Sequence, residues 1–173
     1  MLQALTLFLV LIPIAVAADL TGSSIHFLGP YSADTGTTET FQFLVANGSS
    51  DGAVIDELHF AFHPCATVLG GGYDDSGASN DWLYSLEVGP SHYATWWHPT
   101  DDIGSHMEPG DGGLFWLDVA LGVDCPCGQL PIEWTLLGLG GGESNVLSGG
   151  FSFAVDCPTP AAGSDWSEIK RLH

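Results

Sequence analysis

The chain has 173 residues, 45% of them apolar, and sets 21 carboxylates against two fixed cations for a formal net charge of −19. From Met1 to Ile169 there is neither lysine nor arginine; Lys170 and Arg171 stand side by side at the very end. A surface of this kind cannot hold phosphates by charge, follow a nucleic-acid backbone or adhere directly to an anionic membrane, so nucleic-acid binding and anionic membrane association are excluded.

In chain order, residues 1–17 are an apolar run closed by Ala15-Val16-Ala17. Small residues at that spacing suit a signal peptidase, and cleavage is expected after Ala17 or Ala18. The run is short and broken by Pro13, which argues against a membrane anchor. About 155 residues then remain, enough for one domain with its own core. The expected plan is a signal peptide (1–17), a β domain (18–157), a linker (158–164) and a tail (165–173), in a secreted or cell-surface protein.

Every carboxylate lies between Asp19 and Glu168 with no Lys or Arg among them, so internal Lys and Arg salt bridges cannot stabilise the body. Apolar burial, disulfides or bound cations must do so instead. The self-repulsion is of the kind that salt or divalent ions relieve, and adaptation to a saline habitat yields the same composition.

Short apolar or alternating runs separated by Gly, Asp, Ser and Pro clusters predict strands near Ser24–Leu28, Glu39–Ala46, Val54–His63, Trp82–Val88, His92–His98, Gly113–Val123, Pro131–Leu139 and Gly149–Asp156. The fold class is therefore all-β, an immunoglobulin-like or jelly-roll-like antiparallel sandwich of about eight strands with a short helical C-terminal tail. Alternation puts Phe41, Phe43 and Val45 on one face and Leu58, Phe60 and Phe62 on another, and these faces should form the core. Asn47-Gly48 and Asp51-Gly52 tolerate the positive φ of tight turns, as does the Gly140–Gly142 run. The longest connections, Gly70–Asp81 and Pro99–Gly112, are where a β framework would carry binding.

Four cysteines in an exported chain imply two disulfides with three pairings. Cys65 and Cys157 each end a strand-like run and are the preferred pair; Cys125-Pro126-Cys127 is then left as a strained bridge, two thiols or metal ligands, with cross-pairing also open.

Two acidic, glycine-rich loops are candidates for calcium, which takes six to eight oxygens. One offers Asp101, Asp102, Glu108 and Asp111, the other Asp74, Asp75 and Asp81; neither has EF-hand spacing, and a solvated acidic loop has the same composition. Transition-metal binding is disfavoured, because His59 and His63 would lie about 13 Å apart along an ideal strand. Trp96 and Trp97 are adjacent in a strand and point to opposite faces, so one of them should be exposed. Beside Tyr93 and nearby carboxylates, such a ring is a candidate sugar platform, although a subunit contact would look the same in sequence. Glu87, Asp118 and Glu133 could serve as a glycosidase acid and base only if they converge, and no Gly-x-Ser-x-Gly elbow is present; the chain is read as non-enzymatic.

Beyond the Pro/Ala/Gly linker, Asp165 or Ser164 can cap a short helix in which Trp166, Ile169 and Leu172 make one apolar stripe beside Lys170 and Arg171. This pairing of apolar stripe and cations complements the acidic body and predicts head-to-tail assembly into a homopolymer.

The stretch Phe41-x-Phe43-x-Val45-x-Asn47-x-Ser49, with Ile55, Phe60 and Pro64-Cys65, and the closing Gly150-x-Ser152-x-x-Val155-x-Cys157, resembles the immunoglobulin-like β-sandwich modules of secreted bacterial surface proteins. That resemblance implies an adhesive, spacer or matrix-building role. The tail Trp166-x-x-Ile169-Lys170-x-Leu172 is similar to short C-terminal tails on other exported bacterial proteins, which implies docking or sorting. The sequence reading is thus a secreted structural or adhesive protein that forms an extracellular filament, matrix or surface layer through its tail and Ca2+. Its alternative is a carbohydrate-binding module with a polysaccharide partner and a sorting tail.

Overall fold

The structure, a computed structural model, describes residues 19–75, 82–86, 92–97, 106–139 and 145–157. The segments expected to be a leader, a linker and a tail, the last with Trp166, Ile169, Lys170, Arg171 and Leu172, lie outside the described residues. Ten strands are described: β1 (Ser24–Gly29), β2 (Ser32–Asp34), β3 (Thr38–Ala46), β4 (Val54–Phe62), β5 (Ala66–Asp75), β6 (Leu83–Leu86), β7 (Tyr93–Trp97), β8 (Gly112–Leu121), β9 (Gly128–Leu139) and β10 (Val146–Asp156). They form a four-stranded sheet in the order β1-β3-β8-β5 and a six-stranded sheet in the order β2-β10-β9-β4-β7-β6. All pairings are antiparallel except β2 with β10, which is parallel.

The alternation read from sequence places the core. Phe41, Phe43 and Val45 of β3 and Leu58, Phe60 and Phe62 of β4 are all buried, as are Phe115, Leu117 and Val119 of β8. The two sheets interlock through aromatic contacts, with Phe43 stacked on Phe60 at 4.1 Å between centroids and Phe41 edge-on to Phe153 at 4.9 Å. Each such ring contributes about 1.5–3 kcal/mol by leaving water, so burial carries the stability that Lys and Arg ion pairs cannot supply.

Two strands lie where sequence predicted connections. β2 is three residues long and follows the point where the chain leaves one sheet for the other at Gly29-Pro30. β5 occupies the first half of the stretch expected to be the Gly70–Asp81 loop. Its run Gly70-Gly71-Gly72 hides the strand period because the side chains that would alternate are absent, yet beyond a register shift between Val68 and Gly70 the glycines pair in step, with Gly70, Gly71 and Gly72 opposite Asp118, Leu117 and Trp116.

The cysteines pair as Cys65–Cys125 and Cys127–Cys157, which corrects the expected Cys65–Cys157 bridge. β9 lies between β4 and β10, so the ends of those strands are two inter-strand spacings apart, about 9.5 Å and beyond disulfide reach. Cys65 instead begins the approach to β5, whose neighbour β8 ends just before Cys125. Cys127 precedes β9 and faces the end of β10. The segment Cys125-Pro126-Cys127 is the crossing from one sheet to the other, and it is tied down on both sides.

Asn47, expected in a turn, is instead a buried polar hub. Its Nδ2 donates to the carbonyls of Ala53 (2.9 Å) and Met107 (2.8 Å), and its Oδ1 accepts from Ser23 Oγ and from the Ser49 amide, both at 3.0 Å. The turn chemistry is correct one step later, at Gly52 with φ of 92°.

The described chain begins firmly. The Asp19 amide donates to Asp51 Oδ2 at 2.7 Å, Ser49 Oγ donates to Asp51 Oδ1 at 2.7 Å, and Leu20 is buried. The Ser49 hydroxyl first, and the Asp19 amide next, hold the Asp51 carboxyl below its ordinary value of 3.8. A carboxylate lowered in the folded state adds stability above its unfolded pKa, and that stability is lost as pH falls through the lower folded value. Asp51→Asn is therefore expected to reduce the difference in thermal midpoint between pH 7 and a pH below 3.8. Equal midpoint differences in the two proteins would refute this linkage.

Candidate functional site: the outer face of the six-stranded sheet

Residues alternate along β4, β7 and β9, so the register that buries Leu58, Trp96 and Leu136 together sends Glu57, His59, Ala61, Tyr93, Thr95, Glu133, Thr135 and Leu137 to the outside. Small side chains at the middle of this face, Ala61 and the threonines, leave a shallow concavity of about 340 Å³ beside Tyr93, His59 and Glu133. Tyr93 is 43% exposed at its edge. The surface continues across β10, where Thr135 and Ser148 hydroxyls meet at 3.2 Å.

His59 is fixed in this face. With its Nε2–H donated to Glu57 Oε2 at 2.8 Å, its Nδ1 accepts from Thr95 Oγ1 at 3.1 Å, which orders three strand-borne side chains across β4 and β7. Among the described side chains the face therefore presents acceptors, hydroxyls and one aromatic ring, with no lysine or arginine. Such a surface suits a partner that brings cations and hydrogen-bond donors.

Trp96 is 0% exposed and packs edge-on against Phe60 and Phe115 at 5.9 and 5.5 Å. This corrects its assignment to a sugar platform: the inward register of β7 spends the ring on the core. Trp97 pairs in the ladder with Glu57 and Leu83, and its side chain lies outside the described residues. Tyr93 lies on the outside.

The acidic loops are only partly described. Asp101, Asp102 and Asp81 lie outside the described residues, as does the side chain of Asp75. Glu108 and Asp111 close a turn on themselves, the Glu108 amide donating to Asp111 Oδ2 at 3.1 Å and the Asp111 amide to the Glu108 carbonyl at 3.0 Å. Asp74 is exposed, opposite Leu114 at the end of β5. Among the described residues no three His, Cys, Asp or Glu side chains gather as a metal site. Cys125 and Cys127 are spent in disulfides, which removes the thiolate pair as metal ligands. Asp118 of β8 and Glu133 of β9 lie on the outer faces of different sheets, so a packed core separates them and they cannot act as acid and base on one bond. Glu87 lies outside the described residues.

Sequence reasoning missed the pair His106–Asp56. His106 Nε2 lies 2.7 Å from Asp56 Oδ1 with the imidazole wholly buried. Together with the Ile55–Met107 bridge, it fastens the segment before β8 to the irregular start of β4. Only the density of histidines signalled it, because the partners are fifty residues apart in the chain.

No protein-family model matches the chain, and no curated protein matches its sequence. Solved structures do. The major pilin subunit BcpA of Bacillus cereus is similar at 10% identity with a TM-score of 0.57, over 77% of this chain and 39% of that one. The N-terminal domain of the Streptococcus gordonii adhesin Sgo0707 is similar at 11% identity and 0.55, over 80% and 33%. A cohesin module from a type I cohesin–dockerin complex of Clostridium thermocellum is similar at 15% identity and 0.53, over 78% and 99%. At these identities the likeness is one of fold, a β-sandwich, which agrees with the fold class read from the strand pattern.

Proposed function

We propose that this chain is a non-enzymatic extracellular protein-interaction module that builds a surface layer, matrix or filament, and that the outer face of its six-stranded sheet is the receiving surface. The observation that carries the reading is the cation-free concavity lined by His59, Tyr93 and Glu133, with Glu57 beside it on His59, set against a chain whose only two fixed cations are Lys170 and Arg171. The partner is the tail of a second copy. Its cations meet Glu57 and Glu133 while the Trp166, Ile169 and Leu172 stripe covers the apolar rim at Tyr93 and Leu137. A contact between two different surfaces of one chain does not close at two copies; it propagates.

The two disulfides suit an oxidising, extracellular setting. The pilin, adhesin and cohesin neighbours support the choice of class, since a cohesin is there seen with a dockerin and a pilin is a subunit of a pilus. In this reading calcium acts at the acidic loops, including Asp74 and the 101–111 segment, by relieving the repulsion between bodies of like charge.

Light scattering on the mature chain and on a version ending at Ser164, each with calcium and with chelator, tests the proposal. Large species are expected from the full-length chain alone, and Glu57→Gln with Glu133→Gln should suppress them. Equal masses for full-length and truncated chains would sink the tail mechanism.

A further inference from the structure

We propose a second binding site on the opposite sheet: Trp116, Asp118 and Gln42 on the outer face of β3 and β8, floored by Gly70 and Gly72 of β5, take a pyranose unit of a neutral polysaccharide. Among the described tryptophan side chains, Trp82 and Trp96 are buried and Trp134 shares the inward register of Leu130, Ile132 and Leu136; Trp116 alone points outward, on the opposite side of β8 from the core residues Phe115 and Leu117.

The ring is held flat. A Cβ built on Gly72 would come within 2.5, 2.8 and 3.2 Å of Cζ2, Cε2 and Cη2 of Trp116, so the six-membered part of the indole lies against the backbone of the edge strand. One ring face is thus covered by the strand and the residue remains partly exposed. The glycine run has a reason on both sides of β5: a Cβ on Gly71 would meet Trp96 Cζ2 at 3.1 Å inside, and Gly72 admits Trp116 outside.

Polar groups sit at the positions a sugar's hydroxyls need. Asp118 lies two residues along β8, about 6.7 Å away on the same face. Its Oδ1 accepts from Thr40 Oγ1 at 2.6 Å, which fixes the carboxylate, and its Oδ2 lies over Gly70, 4.0 Å from where a Cβ would stand. Gln42 is directly opposite Trp116 in the ladder and is exposed, offering an amide donor and acceptor. A flat aromatic surface with a fixed carboxylate and an amide beside it matches the C–H face and the rim hydroxyls of a pyranose. The net charge of −19 and the nearby Asp74 exclude anionic glycans and leave a neutral one.

The test is adsorption of the mature full-length chain to insoluble cellulose, chitin and mannan, each in low salt and in about 1 M NaCl, where charge attraction is screened to about 3 Å. Saturable adsorption to at least one of the three is expected in both salts, weakened at least about tenfold by Trp116→Ala and by less for Asp118→Asn. Trp116→Tyr, which keeps a ring, is expected to retain it and guards against misfolding of the alanine variant. Adsorption to none of the three, adsorption indifferent to Trp116→Ala, or adsorption stripped by salt would each overturn the proposal. Because the readout is independent of the tail, its failure and the failure of self-assembly are separate results.

Discussion

Replacing Asn47 by alanine is expected to lower the unfolding free energy by about 3–5 kcal/mol. The side chain is 1% exposed and makes four hydrogen bonds, so its removal orphans the Ala53 carbonyl and the Ser49 amide in the interior and leaves the Met107 carbonyl with the Ile55 amide as its donor. Each buried group left without a partner costs about 1–3 kcal/mol, and water entering the space offsets part of the sum. Three segments would loosen together: the approach to β1 through Ser23, the β3–β4 connection and the stretch leading to β8. Asn47→Asp is the sharper comparison. It keeps the acceptor but removes both donors and faces a carboxylate toward two carbonyls, so it should lose at least as much as alanine at neutral pH. Urea unfolding with an unchanged slope measures both, and a loss under about 1 kcal/mol for either would show that the hub does not hold these segments.

Removing the Cys65–Cys125 pair with alanines is expected to cost about 4 kcal/mol, and removing Cys127–Cys157 slightly less. The closed loops span 60 and 30 residues, and a chain-entropy account makes the longer one the more stabilising. For a body with no Lys or Arg pairs and strong self-repulsion, this is a large share of typical domain stability. Thiol titration of the unfolded variants tests the pairing itself. Cys65→Ala with Cys125→Ala should leave no free thiol, because Cys127 and Cys157 still bridge. Cys65→Ala with Cys157→Ala should leave two, on either side of Pro126. The reverse pattern would restore the Cys65–Cys157 pairing.

The inward faces of β3 and β4 were legible because a half-buried strand must alternate, and Phe41-x-Phe43-x-Val45 can satisfy only one face at a time. β5 was not legible, since Gly70-Gly71-Gly72 carries no alternation; the reason for those glycines lies on other strands, in Trp96 and Trp116. The candidate site was half legible. Tyr93, named beside the candidate ring, stands exposed, while Trp96 does not, because adjacency in a strand shows that two rings diverge without showing which of them meets the core. The fixed arrangement of Glu57, His59 and Thr95 required the β4–β7 register, to which local pattern gives no access.

By itself, the order of amino acids determined the all-β class, the inward residues of its long strands, a body without Lys or Arg pairs, and the separation of that body from a cationic end. Those properties depend on composition and on the two-residue period of a strand, both local. Tertiary structure decided which strands are neighbours, and with that the disulfide pairing, the use of Asn47 as a buried hub rather than a turn residue, the burial of Trp96 and the outward placement of Trp116. Each of these depends on what stands across a sheet or a core from a given residue, a relation between distant segments that is settled only when the two sheets pack.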